Sequence, residues 1–202
     1  SRGFGRLMEN LASGQRLFAL LDAETEAEDP EDAVQHGRVQ REIRFRDLSF
    51  SYRDSQGRTH PVLSGFDLDV EAGAVIAIVG RTGAGKTSLM DLLLRFREPD
   101  QGRIEIDGQD IRKIRRHDLL EQIAIVTQDA FLFDTSIMEN IRYGREDASD
   151  EEVLEAARTA HVDEFVDHLP EGWATPVGEL GVLLSGGQRQ RITIARALLR
   201  RP

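Results

Sequence analysis

The sequence holds no cysteine, a single tryptophan and only two tyrosines. The first absence excludes a disulfide framework and thiolate metal sites, and it fits a reducing compartment. No apolar run approaches the roughly 20 residues that a bilayer-spanning helix needs, and the first residues carry no signal-peptide pattern. Positive charge is in deficit, with 26 Lys and Arg against 36 Asp and Glu and a formal net charge of −10. A general nucleic-acid surface is basic, so nucleic acid is not an expected partner. The five histidines show no H-x-x-x-H spacing and read as solvated or interface residues. No Ser/His/Asp arrangement supports acyl chemistry. With 40% hydrophobic and 31% charged residues, the composition is that of an ordinary soluble domain, and no internal repeat or low-complexity block interrupts it.

Glycine, by contrast, is placed with purpose. Gly80-Arg81-Thr82-Gly83-Ala84-Gly85-Lys86-Thr87 fits G-x-x-x-x-G-K-[ST], a loop whose backbone N–H groups cradle phosphates. Residues 74–79 before it are an unbroken apolar run bounded by Gly73 and Gly80, and predict a buried parallel strand. Residues 88–96 after it, from Ser88, predict a largely buried helix. In that order the glycines allow turns closed to other residues, and the helix N-terminus adds roughly half a positive charge. Lys86 is placed to reach the β- and γ-phosphates, and Thr87 to set its hydroxyl on Mg²⁺.

About a hundred residues later stands Leu184-Ser185-Gly186-Gly187-Gln188, followed to Leu199 by apolar residues at helical spacing. Ser185 and the two glycines therefore lie at a second helix N-terminus suited to an anion.

Both strings resemble the motifs of ABC-type ATPases: residues 80–87 resemble their Walker A loop, and residues 184–188 their signature, LSGGQ. The resemblance extends over nearly the whole chain. Tyr52 resembles the A-loop aromatic that stacks on adenine, and Gln128 resembles the Q-loop glutamine that senses Mg²⁺ and the γ-phosphate. Residues 131–141 look like the segment of exporter nucleotide-binding domains that meets the membrane domain. Thr175-Pro176-Val177-Gly178-Glu179-Leu180-Gly181 looks like the exporter X-loop, usually TEVGERG, from which Pro176 and Leu180 depart.

The resemblance implies a P-loop NTPase (RecA-like) α/β core, with an antiparallel β subdomain and an inserted α-helical subdomain carrying the signature. It implies ATP and Mg²⁺ as ligands. ATP would be held by Tyr52, Gly80, Arg81, Thr82, Gly83, Ala84, Gly85, Lys86, Thr87, Ser88 and Gln128, with Thr87 and Gln128 at the metal. Lys86 and Gln128 would take part in catalysis. Leu184, Ser185, Gly186, Gly187 and Gln188 would contact the ATP of a second nucleotide-binding domain packed head to tail. The expected partners are that domain and a transmembrane domain of the same polypeptide, met through residues 128–141, at the cytoplasmic face of the plasma (inner) membrane.

Three parts are expected: residues 1–22 as the tail of a linker helix from the transmembrane domain, residues 23–40 as a solvated acidic linker, and residues 41–202 as a partial nucleotide-binding domain with its helical subdomain at about 131–184. Within the last part, alternation at residues 43–46, 66–70 and 103–107 predicts half-buried antiparallel strands, and residues 123–126 predict a buried strand. Ser149 to Glu152 predicts a capping box opening a helix.

The family's Walker B strand, catalytic Glu, D-loop and switch His would follow Pro202. The expectation is that the chain by itself hydrolyses ATP poorly, and that it is unstable or aggregates, since a central strand's apolar residues each contribute about 1.5–3 kcal/mol. Two alternatives to a hydrolysing exporter domain remain: a non-catalytic half of a heterodimeric exporter, and an importer-type ATP-binding subunit, which leaves the first 25 residues unexplained. A DNA-tethering ATPase of the SMC kind would need a long coiled coil between the two motifs.

Overall fold

Alternating apolar residues build the first strand, β1 (Glu42–Arg53), whose Phe45, Leu48 and Phe50 are buried. The interval from Phe45 to Leu48 is odd, which in a regular strand would send Leu48 to the other face. A bulge at Asp47, with φ of 46°, absorbs the extra residue and returns Leu48 and Phe50 to the core. Gly102 faces this bulge so closely that a Cβ there would lie 2.3 Å from the carbonyl oxygens of Arg46 and Asp47.

The computed structural model describes residues 29–54 and 56–202. Beside β1 run β2 (Thr59–Glu71), β3 (Gln101–Ile106) and the two-residue β4 (Gln109–Asp110), in the antiparallel order β2-β1-β3-β4. The expected strands at 43–46 and 66–70 lie inside β1 and β2, and that at 103–107 coincides with β3 as far as Ile106. Helix α1 (Lys86–Leu93) lays Leu89 and Leu92 on the core of this sheet, to which the short helix α2 (Arg116–Glu121) adds Leu119. The helix expected to reach residue 96 stops at Leu93, because Arg95 turns to φ 54°.

A second core is helical. α3 (Ile137–Arg142), α4 (Asp150–Thr159), α5 (Asp163–Val166) and α6 (Gly186–Arg200) enclose Ile137, Ile141, Val153, Ala157, Val166 and Ile192, all buried. The capping box expected at Ser149 and Glu152 opens α4. The sheet elements and these helices pack chiefly within their own clusters.

Two strand expectations need correction. Residues 74–79 are not a buried parallel strand: they form no ladder, and Val75 is fully exposed and Val79 87% exposed. Residues 123–126 likewise form no strand, with Ile125 and Val126 exposed. A buried parallel strand needs a hydrogen-bonding neighbour and cover on both faces, and among the described residues none pairs with either run. The sheet among the described residues is thus antiparallel, inside a mixed α/β fold, without the parallel RecA-like ladder.

The part of the expected acidic linker that is described keeps Asp29, Glu31 and Asp32 exposed, and it is clasped to the domain. The Asp29 carboxylate accepts from the Arg116 backbone N–H at 2.9 Å and pairs with the buried Arg95 at 3.3 Å. Val34 bridges to Ile114, and the N–H groups of Gln40, Arg41 and Glu42 all donate to the Asp107 carboxylate. The expected helix at 1–22 and the acidic residues Glu24, Glu26 and Glu28 lie outside the described residues.

Candidate functional site

The loop at 80–85 leads directly into α1, and its geometry follows from two glycines. Gly83 and Gly85 have φ of 85° and 84°, the left-handed region that other residues enter at a cost. Gly85 is also the N-cap of α1 and lies against β2, where a Cβ would sit 2.9 Å from Val62 Cγ1. No side chain caps this helix end, so its first N–H groups remain open to an anion.

Lys86 folds back over the loop, its Nζ donating to the carbonyls of Gly80 at 2.8 Å and Arg81 at 2.9 Å. The ammonium has three donors, and the loop carbonyls engage two. Thr87 is exposed beside it, and Ser88 is buried. Tyr52, near the end of β1, shares a hydrogen bond with Ser88 Oγ at 3.1 Å. The end of β1 and the N-terminal turn of α1 are therefore brought together. Arg97 lies over the Tyr52 ring at 4.8 Å, and Phe50 meets its edge at 4.9 Å. Arg97 had no sequence signal, because its approach depends on the turn after α1.

Gln128 sits in an exposed irregular segment, and among the described residues no hydrogen bond joins it to the phosphate loop. The signature stands apart as well. Ser185 is the N-cap of α6: its hydroxyl accepts from Gln188 N–H at 3.3 Å, while its own N–H donates to Gln188 Oε1 at 2.8 Å. This capping box leaves the exposed Gly186 and Gly187 N–H groups without a side-chain acceptor, and Gly187 has open space where a Cβ would be. Leu184 is buried and anchors the turn.

Sequence reasoning also missed the contacts around the signature helix. Asn140 is fully buried, its amide donating to the carbonyls of Phe133 and Ser136 and accepting from Phe133 N–H. Arg196, on α6, donates to both the backbone and side-chain oxygens of Asn140, and burial pushes its guanidinium below the usual arginine range. The segment resembling the X-loop pairs with residues 135–137: Ile137 N–H donates to Thr175 O and Val177 N–H to Thr135 O, each at 3.0 Å. Leu180 stands exposed at φ 54°. Among the described residues His117, Asp118 and Glu121 alone cluster as metal ligands could, but they are paired with one another on the six-residue α2.

The family model described as ABC transporter matches residues 63–202. An ATP-dependent lipid A-core flippase of Syntrophus aciditrophicus (strain SB) is 44% identical over 194 residues, covering 96% of this chain and 31% of that protein. A fatty acid ABC transporter ATP-binding/permease protein of Mycobacterium bovis (strain ATCC BAA-935 / AF2122/97) is 45% identical over 201 residues, covering 98% and 31%. Among solved structures, that of a bacterial Atm1-family ABC exporter with ATP bound superposes with a TM-score of 0.85 at 40% identity, covering 96% of this chain and 33% of that one. The chain spans about a third of the length of these relatives. No helix among the described residues is long and apolar enough to cross a membrane.

Proposed function

The chain belongs to the ABC transporter family, as an ATP-binding domain of the exporter type, and from that membership we propose that it binds Mg·ATP on residues 80–88 and couples hydrolysis in a longer protein to export. The observation that carries this reading is the phosphate loop itself: left-handed Gly83 and Gly85, an uncapped α1, and an ammonium resting on the loop's own carbonyls. The loop carbonyls serve the Lys86 charge until a triphosphate offers stronger acceptors. Lys86 then turns to the β- and γ-phosphates, and the N–H groups of the loop and of α1 close around them.

Mg²⁺ suits hard oxygen donors: the exposed Thr87 hydroxyl would supply one, and the Gln128 amide oxygen would supply another once its exposed segment meets the loop. When bound, it neutralises charge developing on the phosphates. The ring of Tyr52 is the platform for adenine, which competes with Arg97 for one face. The signature serves the other side. Ser185 uses a lone pair to cap α6 and keeps its hydroxyl hydrogen, so it donates, with the N–H groups of Gly186 and Gly187, to the γ-phosphate of ATP held by a second such domain. The relatives described as a lipid A-core flippase and a fatty acid transporter favour an amphiphilic lipid as cargo, with a permease portion of the same polypeptide in the membrane.

The test is made on the longer protein in lipid nanodiscs. Lys86→Ala is expected to lower ATP turnover at least a hundredfold, about 2.7 kcal/mol, and to weaken binding of a fluorescent ATP analogue. Turnover within threefold of the unaltered protein overturns the assignment.

A further inference from the structure

Arg196 joins α6 to the segment before and within α3 in three ways at once. Its Nε donates to the Asn140 carbonyl at 2.8 Å, one terminal nitrogen to Asn140 Oδ1 at 2.9 Å, and the other to the Phe131 carbonyl at 3.1 Å. Its guanidinium also lies 5.5 Å from the Phe133 ring centroid and 5.6 Å from that of Tyr143. The backbone of the same residue is engaged as well: a Cβ on Gly144 would lie 2.2 Å from the Arg196 carbonyl oxygen. One residue of α6 thus reaches both Phe131 and Asn140 with its side chain, and its backbone packs closely on Gly144.

The segment is cross-tied by its own contacts. Asn140 ties Phe133 and Ser136 together, and Phe131 meets Phe133 edge to face while Tyr143 lies tilted against Phe133, with centroids 5.0 and 4.3 Å apart. Phe131 and Tyr143 remain about half exposed at its surface. From Arg196 to Ser185, the N-cap of α6, is eleven residues of chain, about 16 Å at 1.5 Å per residue. A helix pinned so firmly at one point moves with the body that pins it.

We propose that Arg196 is the positioning residue that makes the signature helix and the aromatic segment at 131–144 move as one body, so that ATP contact at Ser185 is felt at Phe131 and Tyr143. This rests on the reading of Ser185 to Gly187 as a γ-phosphate contact. A planar guanidinium can serve three divergent acceptors while covering two rings, whereas an ammonium is a point donor. Arg196→Lys therefore keeps the charge and stem but loosens the joint.

Backbone hydrogen exchange on the longer protein in nanodiscs, with and without Mg·ATP and vanadate, tests it. In the unaltered protein the nucleotide is expected to slow exchange about fivefold or more, the low end of coupling between sites, in peptides covering 184–190 and also in those covering 131–144. In Arg196→Lys the response at 184–190 persists and that at 131–144 disappears. A merely structural role would raise exchange in both states and leave the nucleotide-dependent difference intact, which overturns the proposal. So does an unaltered protein that responds at 184–190 and not at 131–144. Should Arg196→Lys fail to fold, Arg196→Gln takes the same test with the same two outcomes. No response at 184–190 in the unaltered protein overturns the γ-phosphate reading, and the joint's role with it.

Discussion

Three consecutive N–H groups, from Gln40, Arg41 and Glu42, converge on one carboxylate, that of Asp107, which itself sits at φ 53°. Burial pushes the Asp107 pKa up, but these bonds and the nearby Arg41 outweigh it and hold the group below the ordinary carboxylate range. A depressed folded-state value gives stability that is complete above the unfolded value of about 3.9 and fades as pH falls through the folded one. Urea unfolding from pH 7 down to pH 2 is therefore expected to show a loss below about pH 4 that Asp107→Asn reduces, with a Tm for the variant about 2–4 °C lower at pH 7. Equal acid slopes for the two proteins would contradict this. Residues of this kind were not legible in the sequence: Asp107 read as the end of a half-buried strand, and nothing local showed that the N–H groups of residues 40–42 would converge on it. Short-range chemistry was legible. The capping box at Ser149 and the helix N-terminus at Ser185 are each written within four residues and formed as read, the second completed by Gln188, because the partners are carried by one helical turn.

At the scale of elements, the β1 bulge is the joint most sensitive to substitution. Gly102 combines φ of 79° with carbonyl oxygens of Arg46 and Asp47 at 2.3 Å from any added Cβ. Gly102→Ala must therefore shift backbone, not a flexible side chain, and a loss of about 2–3 kcal/mol in chemical denaturation is expected. Gly57, with a similar φ but open space, serves as the control, expected to lose only the backbone cost of about 1–2 kcal/mol on the same change, and less than Gly102→Ala. Alternation in the sequence located β1, β2 and β3, but not the bulge, since an extra residue is indistinguishable from a break until the partner strand is placed. The runs at 74–79 and 123–126 illustrate the opposite limit: apolar character states that a segment requires cover, not which segment supplies it. The candidate site divided in the same way. The glycine turn before α1 and the N-terminus of α6 at Ser185 could be read because each is local, whereas the approach of Arg97 to Tyr52 and of Arg196 to Asn140 belongs to tertiary packing.

For the whole molecule, the uncovered runs matter most. Val75, Ile76, Ile78 and Val79 lie exposed in one continuous stretch, uncharged and rich in strand-forming residues, the type of segment that recruits further chains. The 202-residue chain is expected to associate with rising concentration in light scattering, and Val75→Lys, a charge placed on a fully exposed side chain, to suppress this at unchanged Tm. Scattering that is the same for both proteins would place the sticky surface elsewhere. A different consequence follows from the two hydrophobic cores, because the phosphate loop rides on one and the signature on the other. Each core is a candidate for its own cooperative unit, and a ligand stabilises only the unit that it touches. In a monomer, then, nucleotide should raise the melting temperature of the sheet unit and leave the helical unit where it was. Only when two chains close on the same triphosphate do both transitions rise together, so the separation between two calorimetric peaks becomes a gauge of dimer closure.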